Sequence, residues 1–471
     1  MKRRVRTCRV HACRVLSCPM WALSLALSLL LATRTLDAQD RRTVTEPRVP
    51  EACVTLSAAL SSAHGNLDAA EEQRLDTVRI QQAIDHCARG KAVVLAADGA
   101  QNAFLSGPLS LRAGVTLIVG QGVTLYASRD AALFSTGAST CGVVTSENQH
   151  SCRPLIAVSD APDAAILGPG AIDGRGGDKL LGRDASWWQL AEQARSGGYQ
   201  QAFRLIVADH SDNFTLYNLT LRNSPNFHVT YGHGTGFTAW GVHIDTPQRG
   251  ARNTDGIDPG NGASDVTITR CWIRTGDDNV AIKGGGQGAH WMTVSDSHFY
   301  WGHGMSIGSE TDGGVDHILI KNLSLDGPDN GIRIKSNGSR GGLTEQVLYD
   351  DVCVRNSANP IMLDTAYSAA GTLKGEKAPS MRTVRLHDVR VSGGGRITFN
   401  GYDSTHRIAA TLDGVQITDE ASYKYVLAHS DLTLGPEPSN LQLPAGEDAT
   451  VSGKAARGKA ASCGALFAGF E

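Results

Sequence analysis

One short pattern recurs through the middle of this 471-residue chain and constrains its fold more than any other feature. Eight segments each read as two apolar-alternating half-strands joined by a polar or small residue. They are FTLYNLTL (214–221), FTAWGVHI (237–244), VTITRCWI (266–273), MTVSDSHF (292–299), ILIKNLSL (318–325), VLYDDVCV (347–354), VRLHDVRV (384–391) and ATLDGVQI (410–417). Their first residues lie 23, 29, 26, 26, 29, 37 and 26 positions apart. Alternation of period two broken by turn residues specifies short strands, and the longer period specifies one supersecondary unit stacked many times. Such a unit buries its apolar face only against its neighbours, so the chain must be a solenoid.

A second strand follows within each period, as GIDPG, NVAIK, GMSIG, GIRIK, PIMLD and RITFN. Aligning these puts Ile257, Ile282, Ile307, Ile334, Leu363 and Phe399 at one position per coil, 25, 25, 27, 29 and 36 residues apart, as an inward apolar ladder. The expected fold class is all-β, a single-domain parallel β-helix. Leucine-rich repeats share the period but would carry Leu-x-x-Leu-x-Leu with Asn, which is missing here. Gly (53) far outnumbers Pro (16), which suits many tight turns between short strands. One amphipathic helix is expected in DTVRIQQAIDHCARG, where Ile80, Ala83, Ile84 and Cys87 share a face and Gly90 is placed to end it. It would close the N-terminal end of the stack, which otherwise exposes core and unpaired strand edges.

The first forty residues have a basic start and the apolar run MWALSLALSLLLA, the pattern of an export signal cleaved after Ala38. The run is short for a membrane span and polar sequence follows at once. The expected organisation is a signal peptide at 1–38, a catalytic β-helix at 39–430, and a tail or end cover at 431–471. Seven cysteines lie beyond residue 38. Cys141 with Cys152 and Cys53 with Cys87 are the expected disulfides, and the odd number leaves one thiol over. No cysteine spacing suits zinc. A net charge of -3 gives no field that would attract nucleic acid.

Coils of a β-helix repeat at one strand spacing, roughly 4.8 Å, so residues at matching positions are neighbours however far apart in sequence. The ladder alignment brings Asp255 (in NTDGIDP), Asp277 and Asp278 (in GDDNVAIK) and His303 (in GHGMSIG) to one outer strip. Arg333 and Lys335 alternate with inward Ile332 and Ile334 and join them. Adjacent carboxylates repel, which tends to raise the pKa of one and to split the pair into proton donor and acceptor. Hydrolysis of a glycosidic bond needs that division, and the cations suit a carboxylate-bearing sugar. Taken singly each feature is commonplace: an Asp pair in a turn is usually solvated or a calcium ligand, and Arg-x-Lys on a strand is usually a charged face. KGGGQG lacks the order of a phosphate-binding loop.

In this order and spacing, NTDGIDP, GDDNVAIK, GHGMSIGSE and GIRIK resemble the four signature segments of the polygalacturonases, glycoside hydrolase family 28. The resemblance spans about residues 50–425 and, through FLSGPLSL, SWWQLA and NSPNFHV, is to the secreted bacterial endopolygalacturonases. It implies a right-handed parallel β-helix and inverting hydrolysis of the α-1,4 bonds of de-esterified homogalacturonan. On this chain it implies Asp277 as general acid, with Asp255 and Asp278 activating the attacking water and His303 tuning the acid. Arg333 and Lys335 would bind the substrate carboxylate, and Tyr367 in DTAYS would line the same cleft. Asn253, which opens the first motif, would orient Asp255 or contact sugar. Trp187 and Trp188 would stack on sugar or pack inside. No metal or other cofactor is implied. The expected partner is the polygalacturonate polymer, met by a secreted monomer without nucleic acid or membrane. Internal attack is expected, because no appended N-terminal module of the kind found in some exo-acting relatives precedes the coils. The rivals are a calcium-dependent pectate lyase on the same fold and a non-catalytic polysaccharide-binding β-helix.

Overall fold

The computed structural model describes residues 39–471 apart from 64, 138–140, 150, 369–372, 459–462, 465 and 471, so the expected export signal at 1–38 lies outside the described residues. The described chain is a right-handed parallel β-helix whose strands pair almost entirely in parallel, coil on coil. All eight repeat segments stack at the offsets read from the sequence. Thr215 pairs with Thr238, Thr238 with Thr267, Val266 with Met292, Met292 with Ile318, Ile318 with Val347, Val347 with Val384, and Val384 with Ala410.

The polar or small residue in each segment has a single backbone purpose. The fifth residue of every segment is left-handed: Asn218 (φ 50°), Gly241 (64°), Arg270 (55°), Asp296 (49°), Asn322 (48°), Asp351 (54°), Asp388 (49°) and Gly414 (76°). Asn, Asp and Gly visit that region at least cost, which is why they dominate the position. Arg270 is the exception, and its guanidinium lies over the Trp240 ring at 5.3 Å. The turn at this residue swings the chain between two faces while keeping apolar side chains such as Ile268 and Ile273 inside.

The second strands form the face that carries the charged residues. In chain order they are β1 (Ile206–Asp209), β2 (Val229–Gly232), β3 (Ile257–Gly260), β4 (Val280–Ile282), β5 (Met305–Ile307), β6 (Asn330–Lys335), β7 (Asn359–Asp364) and β8 (Gly395–Asn400). Ile282, Ile307, Ile334, Leu363 and Phe399 stack in the expected ladder, all fully buried. The first rung differs. Ile257 pairs with Val280 and Gly260 with Lys283, an offset of 23 residues in place of 25. A slip of two residues leaves the same face inward, so alternation alone cannot detect it.

A helix α1 (Thr77–His86) buries Ile80 and Ile84 against the first coils, with Val93, Leu95 and Leu117 in the same core. It ends before Gly90, because Cys87 leaves it in extended conformation to bond Cys53. The Cys141–Cys152 disulfide is also present. A third, Cys353–Cys463, ties the segment after the last strand (Glu447–Gly453) back onto the coils, where Phe467 and Phe470 lie against Arg355 and Arg274. Cys271 is the thiol left over; it is buried, which pushes its pKa up to about 12. An unforeseen helix, α2 (Trp187–Ala194), is capped by Ser186 and Gln189 and buries Trp187 against Phe134 and Phe203. Trp187 is therefore core, and Trp188 donates its indole N–H to the Ser224 carbonyl at 2.9 Å.

Ile307 is the central rung beneath the charged strip. Ile307→Ala should cost about 2–5 kcal/mol, the range for a buried aliphatic truncation in a close-packed core. Urea unfolding at unchanged slope measures it, and a loss under about 1 kcal/mol would show that the ladder is not close-packed.

Candidate active site

Strand registry gathers the site. Two positions before the stacked Ile257, Val280 and Met305 stand Asp255, Asp278 and His303. One position after them, and after the next rung Ile332, stand Asp258, Ala281, Ser306 and Arg333. Lys283 and Lys335 lie two coils apart on either side of Gly308. Gly308 has φ 91°, and a Cβ there would come within 2.1 Å of the Lys335 carbonyl, so only glycine lets these coils close up. The six residues expected to act together do cluster: Asp255, Asp277, Asp278 and Lys335 line one cleft, and His303 and Arg333 bond Asp277 and Asp278 beside it.

The adjacent aspartates live in different surroundings. Asp278 is almost fully buried: Lys335 Nζ donates to its Oδ2 at 2.6 Å, Arg333 Nη1 to its Oδ1 at 3.0 Å, and Ser306 Oγ to Oδ1 at 2.8 Å. Asp277 reaches the cleft with its side chain 21% exposed, and its Oδ1 lies 3.0 Å from His303 Nδ1. The other imidazole nitrogen is 3.5 Å from Asp329. Asp255 is buried one coil away and receives Lys283 Nζ at 3.2 Å, while the same ammonium donates to Asp258 at 2.6 Å. Phe227, two positions before Val229, offers its ring face to Lys283 at 4.2 Å. Tyr367 lies across the cations, with Lys335 Nζ 5.2 Å and Arg333 5.5 Å from its ring centre. Asn253 lines the cleft mouth beside Asp255 and Asp277, in left-handed conformation (φ 57°).

The proton affinities differ from the expectation that one of the adjacent pair is raised. Burial pushes Asp277 up, but the His303 hydrogen bond and charge, with Lys335 and Lys283, outweigh it and hold the carboxyl well below the usual range. Asp278 is likewise lowered, because Lys335 and Arg333 outweigh burial. The raised group is Asp255, pushed well above the ordinary value by burial against the partial relief of Lys283. Burial also lifts Asp258 to about 6. His303 is raised, since the bond and charge of Asp277 exceed the cost of burial. Close like charges do not raise either member of the pair when His303, Lys283, Arg333 and Lys335 face them.

Asp258, Lys283, Ser306 and Phe227 were not singled out by sequence reasoning. A signal existed: Asp258 and Lys283 each follow an inward Ile within the recognised motifs, so both had to point outward. Asp277, Asp278 and His303 have donor atoms close enough together for a cation. Both Asp278 oxygens, however, are already taken by Lys335, Arg333 and Ser306, a donor set that suits an anion above it better than a metal within it.

With this geometry in hand, comparison with known proteins is informative. The profile of Glycosyl hydrolases family 28 matches residues 88–430. An endo-polygalacturonase of Pectobacterium parmentieri is 42% identical over 406 residues, covering 85% of this chain and 96% of that protein. A polygalacturonase of Ralstonia nicotianae is 38% identical, covering 84% and 83%. The solved polygalacturonase of Erwinia carotovora subspecies carotovora superposes with a TM-score of 0.75 at 40% identity, covering 83% of this chain and 99% of that one.

The His303–Asp277 pair carries a pH signature. A lowered Asp contributes stability above its unfolded pKa and loses it as pH falls through the folded value; a raised His contributes below its unfolded pKa and loses it as pH rises through the folded one. The pair is therefore fully stabilising between roughly pH 4 and 6.5. The stability gap between wild type and His303→Gln should be widest near pH 5 and shrink above the raised imidazole pKa. A gap that stays constant from pH 5 to 9 in thermal unfolding would mean the pair is not ionised.

Proposed function

The chain belongs to Glycosyl hydrolases family 28, and from that premise we propose that it cuts the galacturonosyl bonds of de-esterified homogalacturonan internally and with inversion. The observation that carries the residue assignment is the division of surroundings within the aspartate pair: Asp278 is locked among cations, while Asp277 faces the cleft on an imidazole.

Asp277 is the general acid. With Asp277 held low and His303 raised, the proton between them is favoured on His303, 3.0 Å away. A uronate seated on Arg333 and Lys335, with Tyr367 against them, draws off the positive field that keeps Asp277 ionised and displaces water from the cleft. Both effects raise the carboxyl, so it takes the proton and delivers it to the glycosidic oxygen as that bond breaks. Water attacks the anomeric carbon from the opposite side and gives its proton to Asp278, with Asp255 one coil away sharing it. Lys283 keeps Asp255 in place and partly offsets the cost of its burial.

Export of the mature chain as a monomer completes the reading. Three disulfides suit an oxidising compartment. Just after the proposed cleavage point, Asp40 accepts from Thr267 at 2.6 Å and Arg41 pairs with Asp265 at 2.6 Å, so the chain joins the coils almost at once. No described helix is long and apolar enough to cross a membrane.

Asp277→Asn should lower kcat on polygalacturonate by about 10³ with KM within about threefold, since general-acid catalysis contributes 10²–10⁴. Reducing-end release measures it, and turnover within tenfold of wild type would refute the role. Lys335→Ala should raise KM for polygalacturonate about tenfold, the loss of one charge-assisted contact, and flatten the preference over methylated pectin. An unchanged preference would count against carboxylate binding. Excess EDTA should leave the rate intact and no unsaturated, ultraviolet-absorbing ends should form; the reverse would indicate a metal-dependent lyase.

A further inference from the structure

The register line that holds Asp278 and Asp255 continues two coils further toward the N-terminus. Two positions before Val229 stands Phe227, and two before Ile206 stands Arg204. At one strand spacing per coil, Arg204 is roughly 10 Å from Asp255 along the rod. Its guanidinium lies over the Phe227 ring at 4.8 Å, so that ring is shared with Lys283. Among the described residues the Arg204 side chain makes no hydrogen bond or ion pair; it is half-buried, and burial lowers its pKa against the pull of the Asp258 and Asp255 charges. An arginine so placed keeps its hydrogen-bond donors available to an incoming anion.

The space around it is open and adjoins the catalytic cleft. Arg204 lines a groove of about 700 Å³ with Phe227, Asp258 and Lys283 on one side. It also lines one of about 750 Å³ with Asn226, Arg252 and Asn253 on the other. Phe227 and Asn253 line the catalytic pocket as well, so the grooves and the pocket share walls. Arg252 is exposed and likewise has no ion-pair partner among the described residues.

Resting on the polygalacturonate reading, the geometry points to a second anion site on this arm: Arg204, with Arg252 beside it, holds the carboxylate of a uronic acid unit beyond the bond that is cut. Because the cleft runs along the coil axis and one coil is close to the length of one pyranose ring, coils count sugar units. The catalytic cations read the unit at the cleavage point, and Arg204 reads a unit further along the same chain. The enzyme then favours long, unesterified runs, since a methyl ester at that distant unit removes the charge that Arg204 recognises.

The test is the length dependence of kcat/KM on defined oligogalacturonates from trimer to hexamer, for wild type, Arg204→Gln, Arg204→Lys and Arg252→Gln in the full chain. The ratio of hexamer to trimer kcat/KM should fall at least tenfold in Arg204→Gln, through KM, and recover in part in Arg204→Lys. Arg252 is exposed and its replacement does not disturb packing; Arg252→Gln should lower the same ratio two- to threefold. An equal loss on every length in Arg204→Gln, or an unchanged ratio in both Gln variants, overturns the second site. A wild type that cleaves no oligogalacturonate at all overturns the underlying reading instead, so the two failures are told apart.

Discussion

Everything in this molecule depends on parallel backbone pairing that repeats coil by coil at one strand spacing. That pairing converts sequence separation into distance along a rod, so residues 23 to 29 positions apart become touching neighbours. It also fixes direction. Because side chains alternate, an inward Ile dictates that the residue beside it faces out, and the outward positions of four consecutive coils assemble Asp258, Lys283, Ser306, Arg333 and Lys335 without any loop having to carry them. Asp255, Asp277 and Asp278 sit in the short connections that lead into these strands, so the core beneath the strands holds the cations and the carboxylates close together.

Within that frame, the electrostatics sort the carboxylates by neighbour and not by sequence adjacency. Asp277 and Asp278 are consecutive yet both are kept low, each by its own basic partners, and the group lifted by burial is Asp255 on the preceding coil. A lowered Asp277 beside a raised His303 favours the proton of this pair on the imidazole. In the proposed mechanism an anionic substrate prepares the acid, because it offsets the field that holds Asp277 ionised. A neutral sugar would bind without producing that change, which ties selectivity for uronates to catalysis as well as to affinity.

Much of this was legible in the sequence, and the reasons are local. The eight kinks are Asn, Asp or Gly with one exception because a left-handed residue is required there, and that regularity exposed the repeat and its offsets. Ile282 to Phe399 stacked as read. Ile257 slipped by two because alternation has period two and cannot register such a shift. Beyond pointing outward, Asp258 and Lys283 have no individual signature in the sequence, because their pairing exists only across coils, where Lys283 donates to Asp255 and Asp258. Cys353–Cys463 joins residues 110 apart through a tail with no repeat, where spacing offers no guide. For Trp187 the sequence left sugar stacking and core packing both open, and its place in a short capped helix against Phe134 and Phe203 puts it in the core.

The central claim is that registry sets an acid and a water-activating pair on opposite sides of one glycosidic bond. Proton nuclear magnetic resonance of the anomeric region, recorded within the first minutes of polygalacturonate cleavage, tests it most directly. New reducing ends should appear first as the β anomer and only later equilibrate to the α form. If the α anomer appears first, the carboxylates do not act across the bond as assembled here and the account fails.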